Sequence, residues 1–429
     1  MPLRSVFASN LRAETAFTVL AVAQRLAAQG REIVGLHIGD SPFPSPRVAE
    51  EAAIAAIRQG QTHYCQSGGL PEVRAGIARW YQREFGVTVS PEQVVVGPGA
   101  KIFEQLFCEA VLDPGDDVLV FSPYFPTYPP NIARRGGRLW LANLRADRQF
   151  RPDPAEVERF LRQARRPKAI FLNSPHNPTG GVATAEDLQA IVQLVHGRDI
   201  AIFSDEPYCH MVWQGRHHTP LQWHNAVDQT VAAYTLSKSY SMSGWRIGFA
   251  VAGRELAATL ETLINTNLSC TPPFVQLAAL AALEHGQQER DQAMAQFRRK
   301  VEILVRGLQR VDGIRVAMPA GTFYAFPDVS VWCRRYGITS HGLAMYLLEG
   351  ADDHFGVACL GGECFGEAGL GYIRFSCAEP DQRIEQAVAF LADALQRSHR
   401  VQKYLQEHPQ YALSEVQSAR SHVTGLAVG

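Results

Sequence analysis

Several features that would indicate other classes of protein are missing from this sequence of 429 residues. No apolar run approaches the ~20 residues that a transmembrane helix needs. The start Met-Pro-Leu-Arg-Ser-Val-Phe lacks the charged start and apolar core of a secretory signal. The formal net charge is -1, so neither nucleic acid nor a membrane surface is indicated as the main partner. We therefore expect a cytoplasmic globular protein.

Paired cysteines are also missing. The eight cysteines are scattered without a Cys-x-x-Cys pair, and several lie in apolar runs, such as Cys108 after Phe107. We expect buried free thiols rather than disulfides. His217, His218 and His224 lie close together in sequence, but no carboxylate or thiol stands at ligand spacing. No metal site is predicted.

The chain does have length and an alternating pattern. Its length fits two domains better than one core. Short apolar runs alternate with helical segments, which predicts an α/β fold with a mostly parallel central sheet flanked by helices. The predicted strands are 33–38, 94–96, 117–121, 138–144, 169–172, 200–203, 231–236 and 247–251, and the predicted helices are 15–29, 100–111, 154–165 and 184–196.

The pattern changes near the end of a long helical region over residues 254–312. Beyond it, the predicted strands are 314–318, 322–326, 356–360 and 371–376, with helices at 340–349 and 381–396. This mixture predicts a smaller α+β domain. We therefore predict a large domain over 46–300, a small domain formed by 1–45 with 301–400, and a C-terminal tail over 401–429.

The most informative segment runs from Thr235 to Arg246. Lys238 follows an apolar strand, where loss of solvent would lower the pKa of its amine and make it a nucleophile. Thr235, Ser237 and Arg246 supply hydroxyls and a forked cation of the kind that a phosphate needs. A lysine bound to pyridoxal phosphate requires this combination. The segment alone is equally compatible with a surface lysine beside a polar turn.

Four other segments place polar groups in turns or strands. They are Gly97-Pro-Gly-Ala-Lys101, Asn173-Ser-Pro-His-Asn-Pro-Thr-Gly-Gly181, Ser204-Asp-Glu-Pro-Tyr208 and Tyr372-Ile-Arg-Phe-Ser376. The first begins a helix whose free N–H groups would bind an anion. The second would present Asn177 from a rigid turn, and Asp205 could pair with a buried cation. Arg374 in an apolar strand needs an anionic partner.

Each of these segments also has a purely structural interpretation. The glycine turn fits an ordinary strand-to-helix connection, and the turn at Asn177 fits Asx capping. Asp205 could cap the next helix. Arg374 could belong to a structural salt bridge. No single segment therefore decides the function, and it is their combination and order that carry information.

In this order, the segments resemble the class I/II aminotransferases of the fold-type I pyridoxal-phosphate family, over residues 13–398. The most specific pieces are Ser237-Lys238 with Ser243-Gly-Trp-Arg-Ile-Gly248, Asn177-Pro-Thr-Gly180 and Asp205-Glu-Pro-Tyr208. The resemblance implies pyridoxal 5'-phosphate as cofactor, bound in the large domain. It also implies a ping-pong transfer of an amino group between an L-amino acid and a 2-oxo acid.

The resemblance implies a role for each matching residue that faces the cofactor ring. Lys238 would bind the cofactor covalently and carry the proton, and Asp205 would pair with the pyridine nitrogen. Asn177 and Tyr208 would hydrogen-bond the ring hydroxyl, with Asn177 also close to the substrate. Phe125 would stack on the ring.

The remaining matches concern the phosphate and the substrate. The residues that would hold the phosphate are Ala100 and Lys101 through their backbone N–H groups, Thr235, Ser237 and Arg246. Arg374 would clamp the α-carboxylate of the substrate, with Gly39 beside it. Tyr64 would reach the phosphate of a neighbouring subunit, which implies a homodimer with shared active sites.

The donor's side chain is left open. Lys101 would meet a distal carboxylate, as in some aspartate-using relatives, or it would face solvent. Phe17, Phe43, Tyr124 and Tyr128 would instead line a pocket for larger apolar or aromatic donors. An aspartate-type donor is favoured over an aromatic or broad range. His176 and Glu363-Cys364 depart from the usual family pattern, and Glu363 would disfavour acidic donors if it pointed inward.

Two other functions stay open beside amino transfer. The same cofactor could support a lyase, decarboxylase or oxidase, which the motifs do not separate from an aminotransferase. A cofactor-sensing regulator is the non-enzymatic alternative. Such regulators usually carry a DNA-binding segment, whereas no basic helix-turn-helix precedes residue 13 and Lys238 is intact.

Overall fold

The structure is a computed structural model that describes residues 3–11 and 13–414. Elements are numbered in chain order. The strands are β1 (Glu32–Gly35), β2 (Val94–Gly97), β3 (Asp117–Ser122), β4 (Arg138–Asn143), β5 (Pro167–Asn173), β6 (Ala201–Asp205), β7 (Thr230–Thr235), β8 (Gly248–Ala252), β9 (Tyr324–Ala325), β10 (Phe355–Ala358), β11 (Leu360–Gly361) and β12 (Ile373–Ser376).

The α-helices cover much of the rest of the chain. They are α1 (Val6–Asn10), α2 (Thr15–Ala28), α3 (Arg47–Arg58), α4 (Pro71–Phe85), α5 (Lys101–Val111), α6 (Tyr128–Arg134), α7 (Pro154–Gln163), α8 (Ala185–Val195), α9 (Arg254–Leu268), α10 (Pro273–His285), α11 (Gln287–Leu308), α12 (Ser330–Tyr336), α13 (Ser340–Met345), α14 (Asp381–Ala394) and α15 (Ser398–Glu407).

A seven-stranded sheet forms the centre, in the order β2-β8-β7-β6-β5-β3-β4. Only β8 runs antiparallel to its neighbours, and the other pairs are parallel. Strands β2, β3 and β8 are buried at every residue, because apolar clusters cover both faces of the sheet. Such strands read as continuous apolar runs, so the sequence prediction of a mostly parallel α/β fold is confirmed.

The carboxyl ends of the central strands position the site. In the parallel register of β5 and β6, Asn173 is the partner of Asp205, and both end their strands. Thr235 ends the next strand, β7, three residues before Lys238. Ligands of open α/β sheets gather at this edge, so the strand order alone brings the sequence motifs together.

A second core lies outside the sheet and joins distant parts of the chain. β1 pairs in parallel with β10, and β11, β12 and β9 form an antiparallel sheet. Val19 and Leu26 of α2 belong to one apolar cluster with Phe297 of α11 and Phe323. The N-terminal helix α2 therefore packs with the last third of the chain.

Some predicted elements differ from the structure. Residues 314–318 form no strand within the described chain, where Arg315 makes only an isolated bridge to Asp328. Their apolar side chains pack onto the second core without a neighbouring strand to pair with. The predicted helix at 340–349 ends as α-helix at Met345 and continues as a π-helical turn.

The predicted C-terminal tail begins inside a helix. Residue 400 lies within α15, where Val401 and Tyr404 are buried against the second core. Residues 415–429 of that prediction lie outside the described residues. All eight cysteines are free thiols. No helix in the described part of the chain has the length and hydropathy needed to cross a membrane.

Candidate active site

Lys238 lies at the carboxyl edge of the central sheet and faces the N-terminal part of the chain. Its Nζ donates a hydrogen bond to the backbone oxygen of Gly39 at 2.6 Å. Burial lowers the pKa of Lys238 to about 8. The positive charge of Arg374 acts in the same direction, and the carboxylate of Asp40 opposes it. The amine is therefore much easier to deprotonate than that of a solvated lysine, as a nucleophile requires.

Asp205 is buried at the end of β6 and is bound by an aromatic hydroxyl. Tyr128 donates to Oδ2 of Asp205 at 2.6 Å. Burial raises the pKa of Asp205 to about 7, and the negative charge of Glu206 adds to this effect. The bond from Tyr128 and the charges of Lys101 and Lys238 favour the carboxylate. A cationic ligand beside Asp205 would shift it further toward the ionised form.

Glu206, the neighbour of Asp205, is a buried carboxylate with four partners. Ser204, Thr219 and Tyr234 donate hydroxyl hydrogens to it. Nε2 of His217 lies 2.6 Å from Oε2 of Glu206. This network ties the loop after β6 to the sheet, and it explains the position of His217 without a metal.

An anion cradle forms where α5 begins. Gly99 has φ +88°, and a Cβ there would lie 2.7 Å from Nη2 of Arg246. The hydroxyls of Thr235 and Ser237 are 2.8 Å apart. The first N–H groups of α5, which follow Ala100, have no acceptor within the helix. Hydroxyls, a guanidinium and a helix start therefore converge, as an anion such as phosphate needs.

Arg374 is a buried cation without an acidic partner in the described chain. Its guanidinium donates to Oδ1 of Asn177 at 3.0 Å and to the backbone oxygen of His37 at 2.6 Å. Nε of Arg374 has no partner among the described residues. The side chain packs over the rings of Tyr324 and Phe365. A buried guanidinium with a free donor can accept an anionic partner, and a carboxylate matches its forked donors.

Tyr208 and Gly39 meet at Tyr324, a residue that sequence reasoning missed. The hydroxyls of Tyr208 and Tyr324 are 3.1 Å apart, and both side chains are buried. A Cβ on Gly39 would lie 1.9 Å from the hydroxyl oxygen of Tyr324. Only glycine allows this approach. The isolated tyrosine in a short strand carried no sequence signal, and neither did Tyr128 as the partner of Asp205.

Lys101 and Phe125 lie together above this region. Nζ of Lys101 is 5.2 Å from the centre of the Phe125 ring and forms an ion pair with Glu14. Glu14 directly precedes α2. The sequence predicted neither this partner nor the contact, since Glu14 belongs to no recognised motif.

Three other residues that the sequence singled out are Tyr64, Glu363 and His176. Tyr64 is 87% exposed on the surface of this chain. Glu363 accepts bonds from the backbone N–H and the hydroxyl of Ser340, so its carboxylate caps α13 and is occupied there. His176 is buried with Nδ1 2.7 Å from the hydroxyl of Thr179, and burial lowers the pKa of His176 to about 3.

This arrangement of fold and site defines a class of enzyme. The family described as aminotransferase class I and II matches residues 31–423. The chain belongs to this family and is an aminotransferase, as the sequence motifs predicted.

The relatives extend over almost the full chain. A probable aspartate/prephenate aminotransferase of Aquifex aeolicus is 34% identical over 392 residues, which cover 90% of this chain and 97% of the relative. An arginine–pyruvate transaminase of Pseudomonas aeruginosa is 33% identical, and the match covers 86% of this chain and 92% of the relative. The structure of aspartate aminotransferase from Thermus thermophilus with maleate has a TM-score of 0.85 at 32% identity, covering 92% of this chain and all of that one.

Proposed function

We propose that this aminotransferase uses pyridoxal 5'-phosphate, held between the anion cradle and Asp205. The observation that carries the proposal is that Lys238 and Asp205 lie at the carboxyl edge of the central sheet, where Arg374 of β12 reaches Asn177. When bound, the cofactor carries the amino group between the two half-reactions and accepts the electrons left at the substrate Cα.

The residues of the cradle fit the phosphate. The backbone N–H groups of Ala100 and Lys101 and the side chains of Thr235, Ser237 and Arg246 would bind it. Gly99 leaves the space that a Cβ would fill next to Arg246. Fixed donors at a helix start bind an anion without reorganisation, which is how the cradle would orient the ring.

The ring contacts follow from the strand ends. Asp205 would hold a proton on the pyridine nitrogen, and Tyr128 stabilises the carboxylate form that this requires. Asn177 and Tyr208 would hydrogen-bond the ring hydroxyl. Phe125 would cover one face. Together they would hold the ring within reach of the amine of Lys238.

Lys238 and Arg374 would act on the substrate. Arg374 would bind the α-carboxylate through its free Nε and its forked N–H groups, with Gly39 leaving room beside it. The amine of Lys238 would act as the base that takes up and moves the proton of the substrate Cα. Its lowered pKa makes it a base at near-neutral pH.

The donor proposed is of the aspartate type. Lys101 supplies the cation that a distal carboxylate would meet, and several relatives carry aspartate in their names. The arginine–pyruvate relative shows that the same framework occurs with another named donor. A broad donor range, including aromatic amino acids, is therefore the second possibility for this chain.

The organisation of the molecule is part of the proposal. Residues 46–300 would form the cofactor-binding domain, and 1–45 with 301–400 the smaller one. The hydroxyl of the exposed Tyr64 would bind the phosphate of the cofactor held by a second copy of the chain. The working unit would then be a cytoplasmic homodimer with shared sites.

The test combines absorbance and turnover. We expect Lys238→Ala to abolish the visible absorbance of covalently held cofactor and all amino transfer, while Lys403→Ala, a 76% exposed lysine side chain on α15, leaves both unchanged. A panel of amino donors with one oxo-acid acceptor would define the donor. Unchanged absorbance in Lys238→Ala would refute the assignment of this lysine.

A further inference from the structure

The ion pair between Glu14 and Lys101 connects two distant parts of the chain. Glu14 stands directly before α2, which packs in the second core, and Lys101 is the first residue of α5 at the anion cradle. The two residues are 87 positions apart in sequence. Their pairing therefore places an acid from the N-terminal segment at the site.

The carboxylate of Glu14 does not cap its own helix. Glu14 is the N-cap residue of α2, yet its side chain makes no capping hydrogen bond. Its side chain pairs instead with Nζ of Lys101. The side chain of Glu14 is 20% exposed and that of Lys101 is 45% exposed. A partly solvated pair of this kind can exchange partners at small cost.

Lys101 lies near the ionisable groups of the site. Its Nζ lies over the ring of Phe125. Its charge lowers the pKa of both Lys238 and Asp205, which places it within electrostatic range of the two. A donor whose side chain ends in a carboxylate would extend toward this cation.

We propose that Glu14 is a specificity-determining residue that competes with the distal carboxylate of a dicarboxylic donor for Lys101. This inference rests on the proposed function. A neutral donor leaves the pair intact, whereas a dicarboxylic donor has to displace Glu14 and leave it without its cation. Glu14 thereby reduces the ratio of kcat/KM for dicarboxylic donors to that for neutral donors, which broadens the range of donors that the enzyme uses.

The experiment follows the first half-reaction alone, so that no oxo acid occupies the site. The change in cofactor absorbance is measured with aspartate and with alanine in wild type, Glu14→Gln, Lys101→Met and the double variant. We expect Glu14→Gln to raise kcat/KM for aspartate about fivefold and to leave alanine unchanged. In the Lys101→Met background, Glu14→Gln should have no effect on aspartate, because the cation for which the two carboxylates compete is gone.

Binding of maleate, a dicarboxylate without an amine, tests the competition without turnover. Its Kd for the cofactor-loaded protein should fall about fivefold in Glu14→Gln and stay unchanged when the same substitution is made in Lys101→Met. An aspartate-to-alanine ratio and a maleate Kd that do not respond to Glu14→Gln would overturn the inference. Wild type that binds maleate but reacts with no donor would instead refute the proposed function.

Discussion

Two of the site's ionisable side chains lie where burial disfavours their charged forms. The pKa of Lys238 is lowered and that of Asp205 is raised, in both cases mainly by burial. Such shifts cost folding free energy, because the unfolded chain holds the charge more easily. Groups shifted in opposite directions at one sheet edge are typical of sites that move protons.

The pH dependence of stability tests the burial of Lys238. Its folded pKa of about 8 lies below the ordinary 10.5, so the unfolded chain binds the proton more tightly. The penalty is fully present below pH 8 and disappears as pH rises through 10.5. In the cofactor-free protein, Lys238→Met should therefore gain up to about 3 kcal/mol relative to wild type at pH 7, and less at pH 10.

Urea unfolding of both proteins at the two pH values would measure this gain. A difference between variant and wild type that stays the same from pH 7 to pH 10 would show that the amine of Lys238 is solvated in the cofactor-free fold.

Steady-state kinetics tests the proposed binding of the α-carboxylate by Arg374. Since its guanidinium meets no carboxylate in the described chain, we expect Arg374→Ala to raise KM for every amino donor by a similar factor, on the order of 100-fold. Steady-state kinetics over the donor panel would measure this, with the exposed Arg162→Ala as control. A rise in KM confined to one donor would show that Arg374 contacts the donor's side chain and not its α-carboxylate.

At the scale of elements, the start of α5 illustrates how a turn creates a site. Gly99 adopts φ +88°, which turns the chain from β2 into the helix. The same turn brings its backbone against Arg246, whose own φ is +53°. Two residues with left-handed backbone therefore form the cradle: Gly99, which follows β2, and Arg246, which precedes β8. The start of α5 supplies the N–H groups.

Gly99→Ala tests this geometry against a matched glycine. Gly337 also has positive φ, at +65°, but a Cβ there meets nothing within 4 Å. Both alanine variants should lose about 1 kcal/mol of stability from the backbone alone. Only Gly99→Ala should also weaken binding of pyridoxal phosphate, by roughly tenfold or more, because its Cβ displaces Arg246. Cofactor titration and thermal unfolding would separate the two effects, and equal cofactor affinities in both variants would contradict the cradle.

Prediction from sequence succeeded for elements whose signal is local. The mainly apolar segments of β2 to β8 and the periodicity of α2, α5, α7 and α8 gave their bounds to within a few residues. Residues 314–318 alternate like a strand but pair only through Arg315. A strand also needs a neighbour to bond to, and local pattern does not contain that neighbour.

At the scale of the whole molecule, Tyr64 tests the proposed dimer. We expect mixed dimers of Lys238→Ala and Tyr64→Ala chains to be more active than either parent at limiting cofactor. One of their two sites would combine an intact Lys238 with the intact Tyr64 of the other subunit.

The matched control is a mixture of Lys238→Ala with Asp205→Ala. Both residues serve the site of their own chain, so this mixture should regain nothing. Equal behaviour of the two mixtures would place Tyr64 outside the neighbouring site. A monomer in analytical ultracentrifugation with full activity would contradict the shared site directly.

The amino-acid sequence by itself determined which chemical groups stand at the strand ends, because strand period and the turns after them are local properties. Lys238, Asp205 and Asn177 could be assigned to one edge for that reason. Only the tertiary structure decided their partners. Tyr128 on Asp205, Tyr324 beside Gly39 and Glu14 on Lys101 are contacts between segments far apart in the chain, and packing of the two cores selects them.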